Sequence, residues 1–198
     1  MIILGLTGSI GMGKTTTANM FRALDCPVFD ADAAVHSLYN KGGKAVPLIR
    51  AVFPDAVIDG GVDRKILGEH MRADPLNLTV LESFIHPMVG ELRGAFFEKA
   101  NAANADVVVL DVPLLFETGM SEFVDKVAVV TAPEYIQRER VMARPGMTEP
   151  LFKSLLSRQM PDREKRRRAD YLIFTDQGLP FARKQVQKIL SELRRLKS

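Results

Sequence analysis

The chain has 198 residues, 46% of them hydrophobic and 26% charged, and carries a formal net charge of +3. That suits one α/β domain with an inserted lobe around a buried core, and no apolar run reaches the roughly eighteen residues of a membrane span. One cysteine, Cys26, excludes an intrachain disulfide, and 7% aromatic residues without a basic-aromatic repeat argue against a nucleic-acid partner.

Met1 to Leu6 is a short apolar run that predicts a buried strand, and Thr15 to Leu24 predicts a helix. Between them, Gly8 to Thr15 fits G-x-x-x-x-G-K-[ST], the pattern of a phosphate-binding loop. Nucleotide phosphates crowd such a loop, so its amides must approach them closely. Gly8, Gly11 and Gly13 remove side-chain bulk and permit positive φ, and the N–H groups form an anion nest at a helix N-terminus. Lys14 adds a charge for the β- and γ-phosphates, and the Thr15 hydroxyl is a ligand for Mg²⁺. A strand and phosphate loop at the start leave no room for a signal peptide, and with the single cysteine this fits a cytoplasmic setting. Cys26 reads as a buried strand edge rather than a reactive thiol.

Val28-Phe29 is a second short strand, expected beside the first, and Asp30-Ala31-Asp32 leads into a helix from Ala33 to Tyr39. Either carboxylate can cap that helix. A kinase also needs a carboxylate to orient an acceptor hydroxyl and take its proton, and Asp32 is the candidate. Residues 44 to 105 do not alternate strand and helix. Helices are predicted over Ala45 to Phe53, from Asp63-Arg64-Lys65 onward, and over Leu76 to about Asn101, bent at His86-Pro87; Pro54 to Gly61 is a loop or short ribbon.

Val107 to Asp111 and Val127 to Val130 are apolar strands without polar alternation, which indicates a parallel sheet covered on both faces. Asp111 resembles the strand-end carboxylate that supports Mg²⁺ beside a phosphate loop. Thr131-Ala132-Pro133-Glu134 matches a capping box for the next helix. On that helix Arg140 and Arg144 share a face, placed to neutralise charge on a moving phosphoryl group, while Arg138 lies on another side. Arg144 to Glu149 reads as entry to a closing segment that excludes water. Arg163 to Arg168 is a charge run, by default an exposed helix face, with one member reaching a phosphate as the alternative. Tyr171 to Phe174 is the last strand and Phe181 to Leu196 a terminal amphipathic helix. His36, His70 and His86 lack metal-ligand spacing and read as structural, with His86 facing the substrate as the alternative.

These motifs resemble the dephospho-CoA kinase family nearly end to end. The resemblance lies in Gly5-Leu6-Thr7-Gly8 through Lys14-Thr15-Thr16, Asp30-Ala31-Asp32, Asp63-Arg64, Leu81-Glu82 with His86-Pro87, Asp111-Val112-Pro113-Leu114-Leu115-Phe116-Glu117, and Gln137, Arg140, Arg144, Gln159 and Ala169-Asp170 in order. It implies a three-layer α/β P-loop kinase fold with a five-stranded parallel sheet over about 1–40, 105–138 and 168–198, a helical CoA-binding insertion over about 41–104, and a lid over about 139–167. It implies transfer of the ATP γ-phosphate to the ribose 3′-hydroxyl of dephospho-CoA, with Mg²⁺, by a monomer or small homo-oligomer with no membrane or nucleic-acid partner. By position, Asp32 is the base; Gly8, Gly11, Met12, Gly13, Lys14, Thr15 and Thr16 hold ATP; Arg140 and Arg144 are lid arginines. Arg64, His86, Leu114 and Phe116 lie toward the acceptor, and Thr15 and Asp111 toward the metal. The chain departs from the family pattern at Phe174-Thr175 and at Pro145-Gly146-Met147, so no contact follows for those. The competing readings are a nucleoside monophosphate kinase, a GTPase switch, for which no N-K-x-D motif is found, and a nucleic-acid-binding ATPase.

Overall fold

A computed structural model describes residues 1–197. Its contacts divide the chain into two units, residues 1–29 with 100–198, and residues 30–99.

The first unit is built on a five-stranded parallel sheet in the order β2-β5-β1-β6-β7. Its strands are β1 (Ile2–Thr7), β2 (Val28–Asp30), β5 (Val107–Asp111), β6 (Lys126–Thr131) and β7 (Tyr171–Phe174). β1 lies between β5 and β6, pairing Leu6 with Asp111 on one side and Thr7 with Val129 on the other. Side chains alternate between the faces, as a pleat requires. Leu4, Leu6, Val107, Val109, Ala128, Val130 and Ile173 join one core with Phe21 of α1 (Lys14–Arg22) and Val186, Ile189, Leu190 and Leu193 of α9 (Leu179–Lys197). Val127 and Val129 face the other way, under Leu115, Phe116 and Val124. With both faces covered, these strands need no polar alternation.

The placement of β2 corrects an expectation. β2 does not neighbour the phosphate-loop strand; β5 stands between them. The five residues of β5 are all buried and take the central place, whereas β2 has three residues, two of them only half-buried, and occupies the edge. Cys26 just before it is buried and donates its S–H to the Val107 carbonyl at 3.4 Å, and burial pushes its thiol pKa up to about 12. An inert thiol follows.

Two further expectations fail in the first unit. The capping box at Thr131 does not form: β6 continues through Thr131, which pairs with Phe174, and Pro133 takes the N-cap of α6 (Glu134–Met142) with no side-chain cap. The Thr131 hydroxyl donates to Asp162 Oδ2 at 2.8 Å instead. The charge run is not a uniformly exposed face either. It forms α8 (Asp162–Arg167), and Lys165 within it is fully buried, paired with Glu117 at 2.9 Å. A buried ammonium needs such a partner.

The second unit is mainly helical: α2 (Ala31–Tyr39), α3 (Val46–Val52), α4 (Arg64–Ala73) and α5 (Pro75–Ala102), whose last residues belong to the first unit. Leu38, Ile49, Phe53, Leu67, Leu81 and Ile85 form its core. Between α3 and α4 a 3-10 turn (Pro54–Ala56) precedes a small ribbon of β3 (Val57–Ile58) and β4 (Gly61–Val62), joined through Asp59 and Gly60, both at positive φ. His70 of α4 bonds the Asp55 carboxylate at 2.9 Å and stacks near Phe53, so it is a structural histidine. α5 runs without interruption through Pro87.

Candidate active site

In an open parallel sheet, ligands bind beyond the carboxyl ends of the strands. At that end of β1, residues 8–13 form the loop and α1 begins at Lys14. Gly13 is the N-cap, with φ 95°. Gly11 has φ 79°, and a Cβ there would come within 2.5 Å of Val141 Cγ2 and 3.0 Å of the Gln137 carbonyl. Both positions therefore need glycine, one for its backbone and the other for backbone and space. Gly8 is buried where the chain leaves β1, and Met12 is buried with its sulfur accepting the Ala132 N–H at 3.1 Å. Thr15 and Thr16 are exposed in the first turn of α1.

Lys14 forms a salt bridge with Asp111, whose side chain is 2% exposed at the end of β5. A buried carboxylate requires a cation or donor, and Lys14, the first residue of α1, supplies it. Asp111 thus acts on Lys14 directly.

The loop is braced by side chains whose roles the sequence does not reveal. Gln137 Nε2 donates to the Ile10 carbonyl at 2.8 Å, and Gln159 Oε1 accepts the Ile10 N–H at 3.1 Å. The Thr175 hydroxyl donates to the Met12 carbonyl at 2.8 Å. Arg140 donates to the Thr175 hydroxyl at 2.9 Å and to its carbonyl at 2.7 Å, so one residue links the loop to the arginine. Gln137 offers a faint signal, an amide on the helix face shared with Val141 and amid charged neighbours. Gln159 offers none beyond its place in the family order.

Arg144 is exposed and its side chain has no hydrogen bond or ion pair among the described residues. Arg138 pairs with Glu149 at 2.7 Å, joining α6 to α7 (Glu149–Ser157). Leu114 and Phe116 are half-buried; Phe116 packs against the Leu115 core rather than standing free.

In the second unit the two neighbouring carboxylates divide their work. Asp30 is the N-cap of α2 and accepts the Ala33 N–H at 2.9 Å. Asp32, in the first turn, is exposed and makes no hydrogen bond or ion pair among the described residues. Arg64 is exposed at the start of α4, where its charge lowers the pKa of Tyr39 against the larger upward effect of burial. His86 is exposed on α5.

The model of the dephospho-CoA kinase family matches residues 2–180. The chain belongs to the dephospho-CoA kinase family. Similar proteins include the dephospho-CoA kinases of Mesorhizobium japonicum, 54% identical over 98% of each chain, and Agrobacterium fabrum, 52% identical over 98% of each. Among solved structures, TT1252 from Thermus thermophilus matches with a TM-score of 0.82 at 35% identity, covering 97% of each chain. Dephospho-CoA kinase from Campylobacter jejuni, at 24% identity, covers 99% of this chain and 98% of its own with a TM-score of 0.70, and shares the fold. The phosphate loop and its strand are therefore those of a dephospho-CoA kinase, an ATP-using enzyme.

Proposed function

We propose that the chain transfers the γ-phosphate of ATP to the ribose 3′-hydroxyl of dephospho-CoA, with Asp32 as the base. The 3′ oxygen attacks the γ-phosphorus, its bond to the bridging oxygen of ADP breaks, and Asp32 takes the hydroxyl proton. The observation that carries the reading is the glycine loop whose lysine is fixed on the buried Asp111, in a chain of this family. What supports Asp32 is its motif and its uncommitted carboxylate beside an Asp30 already used as a cap.

The amides of Gly11 to Thr16 cradle the phosphates in this account, and Lys14 meets the β- and γ-phosphates. Arg140 and Arg144 offset charge on the moving phosphoryl group, on a segment that closes over ATP. Arg64, His86, Leu114 and Phe116 serve the acceptor. The described residues hold no cluster of three His, Cys, Asp or Glu fit for a metal. The exposed Thr15 hydroxyl suits Mg²⁺, which takes most of its ligands from phosphate and water. Mg²⁺ held by Thr15 and ATP would neutralise phosphate charge. Among the described residues no helix is long and apolar enough to cross a membrane, and a cytoplasmic enzyme is the reading in keeping with its substrates.

The test is ADP release from ATP·Mg²⁺ with dephospho-CoA, AMP or adenosine at equal concentrations, with the product weighed by mass spectrometry. Turnover specific to dephospho-CoA, with one phosphate gained, is expected. Turnover with AMP alone would overturn the acceptor assignment.

A further inference from the structure

Ile10 sits within the phosphate loop and is held from both sides by side chains. Its N–H donates to Gln159 and its carbonyl accepts from Gln137. The two glutamines come from opposite ends of one arm: Gln137 lies in α6, and Gln159 just beyond the C-cap of α7. Glutamine suits both places because its amide carries a donor and an acceptor, and the pair uses one of each.

Neither glutamine is a side chain that drifts with the loop. Gln137 is 5% exposed, in a helix that also packs Val141 against Gly11. Gln159 is fixed through its neighbour: the Met160 N–H donates to Glu117 Oε1 at 2.6 Å, and Glu117 is paired with the buried Lys165. Lys165 also donates to the Pro113 carbonyl at 3.3 Å, which accepts the Thr7 hydroxyl at 2.9 Å. The support thus runs from α8 through the loop after β5 back to the strand that carries the phosphate loop.

A loop rich in glycine has many conformations, and binding must otherwise select one. We propose that Gln137 and Gln159 form a two-sided clamp on the Ile10 backbone, which sets the phosphate loop in its ATP-binding shape and couples that shape to the arm carrying Arg140 and Arg144. Both are positioning residues. The inference rests on the loop being the ATP site.

The experiment compares Gln137→Met, Gln159→Met, the double variant and Lys14→Ala. It measures KM for ATP, KM for dephospho-CoA, kcat and the thermal midpoint of each. Each Met variant is expected to raise KM for ATP about tenfold, the worth of one ordinary hydrogen bond. KM for dephospho-CoA stays within about twofold. Because both glutamines hold the backbone of the same residue, one through its N–H and the other through its carbonyl, the double variant falls well short of the hundredfold that independent sites would give. A parallel fall of kcat with KM for ATP unchanged, or independent multiplication of the two effects, overturns the clamp. Gln137 is buried, so if its variant loses its thermal midpoint, the half-exposed Gln159→Met decides alone. An unchanged kcat/KM for ATP in Lys14→Ala overturns the ATP-site reading itself. A crippled Lys14→Ala beside Gln variants of normal KM overturns only the clamp.

Discussion

The phosphate loop and the start of α2 treat their polar groups in opposite ways. Around the loop the side chains are committed: Lys14 to Asp111, Met12 to the Ala132 amide, Arg140 to Thr175, and both glutamines to Ile10. At α2 the cap is taken by Asp30, and Asp32 is left exposed and uncommitted. The difference fits the roles proposed for the two regions. Backbone amides bind phosphate well only if their arrangement exists beforehand, so the ordering cost is met in folding. A base must keep a lone pair available, and a carboxylate already bonded to an N–H has less to offer a proton.

The sharpest way to break this contrast is Asp32→Asn, which removes the proposed base and no internal contact. A fall in kcat of about 10²- to 10⁴-fold is expected in steady-state assays with dephospho-CoA, the usual worth of a positioned base. Lys14→Ala should lower kcat/KM for ATP by about 10²- to 10³-fold, as loss of one preorganised charge donor does; it also removes an ion pair with the buried Asp111, so a lower melting temperature is expected alongside. Lys165→Met leaves the partly exposed Glu117 without its cation and should cost about 2 kcal/mol in urea unfolding, the worth of a hydrogen bond between charged groups.

A smaller effect is expected from pH. Burial pushes the Glu117 carboxyl up, but hydrogen bonds from Lys165 and the Met160 N–H outweigh it, and the net pKa lies below the usual value. A depressed carboxylate contributes stability above its unfolded pKa and loses it as pH falls through the folded value. Glu117→Gln should therefore flatten the acid side of the stability profile, measured by thermal midpoint from neutral pH downward. The smallest effect belongs to Cys26: with its thiol buried and its pKa near 12, native enzyme should keep full activity in a thiol reagent at neutral pH and react only when unfolded.

The phosphate loop was legible because its glycines answer to local demands, a positive φ at Gly11 and at Gly13, that leave a fixed spacing in sequence. The strands β5 and β6 were legible because burial on both faces writes itself as an unbroken apolar run. What escaped depends on partners far away in the chain. Six consecutive charged residues do not say that Lys165 turns inward, since its reason is Glu117. Thr131 and Glu134 have capping-box spacing, yet sheet pairing with Phe174 holds Thr131 in a strand. Strand order is likewise nonlocal: long crossovers let β5 enter between β1 and β2, which a short run such as Val28-Phe29 cannot foretell. The clamp on Ile10 joins residues that only the fold brings together.

The division of labour between the two regions is tested most directly by equilibrium binding of a fluorescent ATP analogue to Asp32→Asn and Lys14→Ala, beside the parent enzyme. Parent-like affinity in Asp32→Asn, with affinity weakened at least about tenfold in Lys14→Ala, is the result predicted. Loss of ATP affinity in Asp32→Asn as large as that in Lys14→Ala would contradict it, because Asp32 would then belong to the machinery that holds the nucleotide.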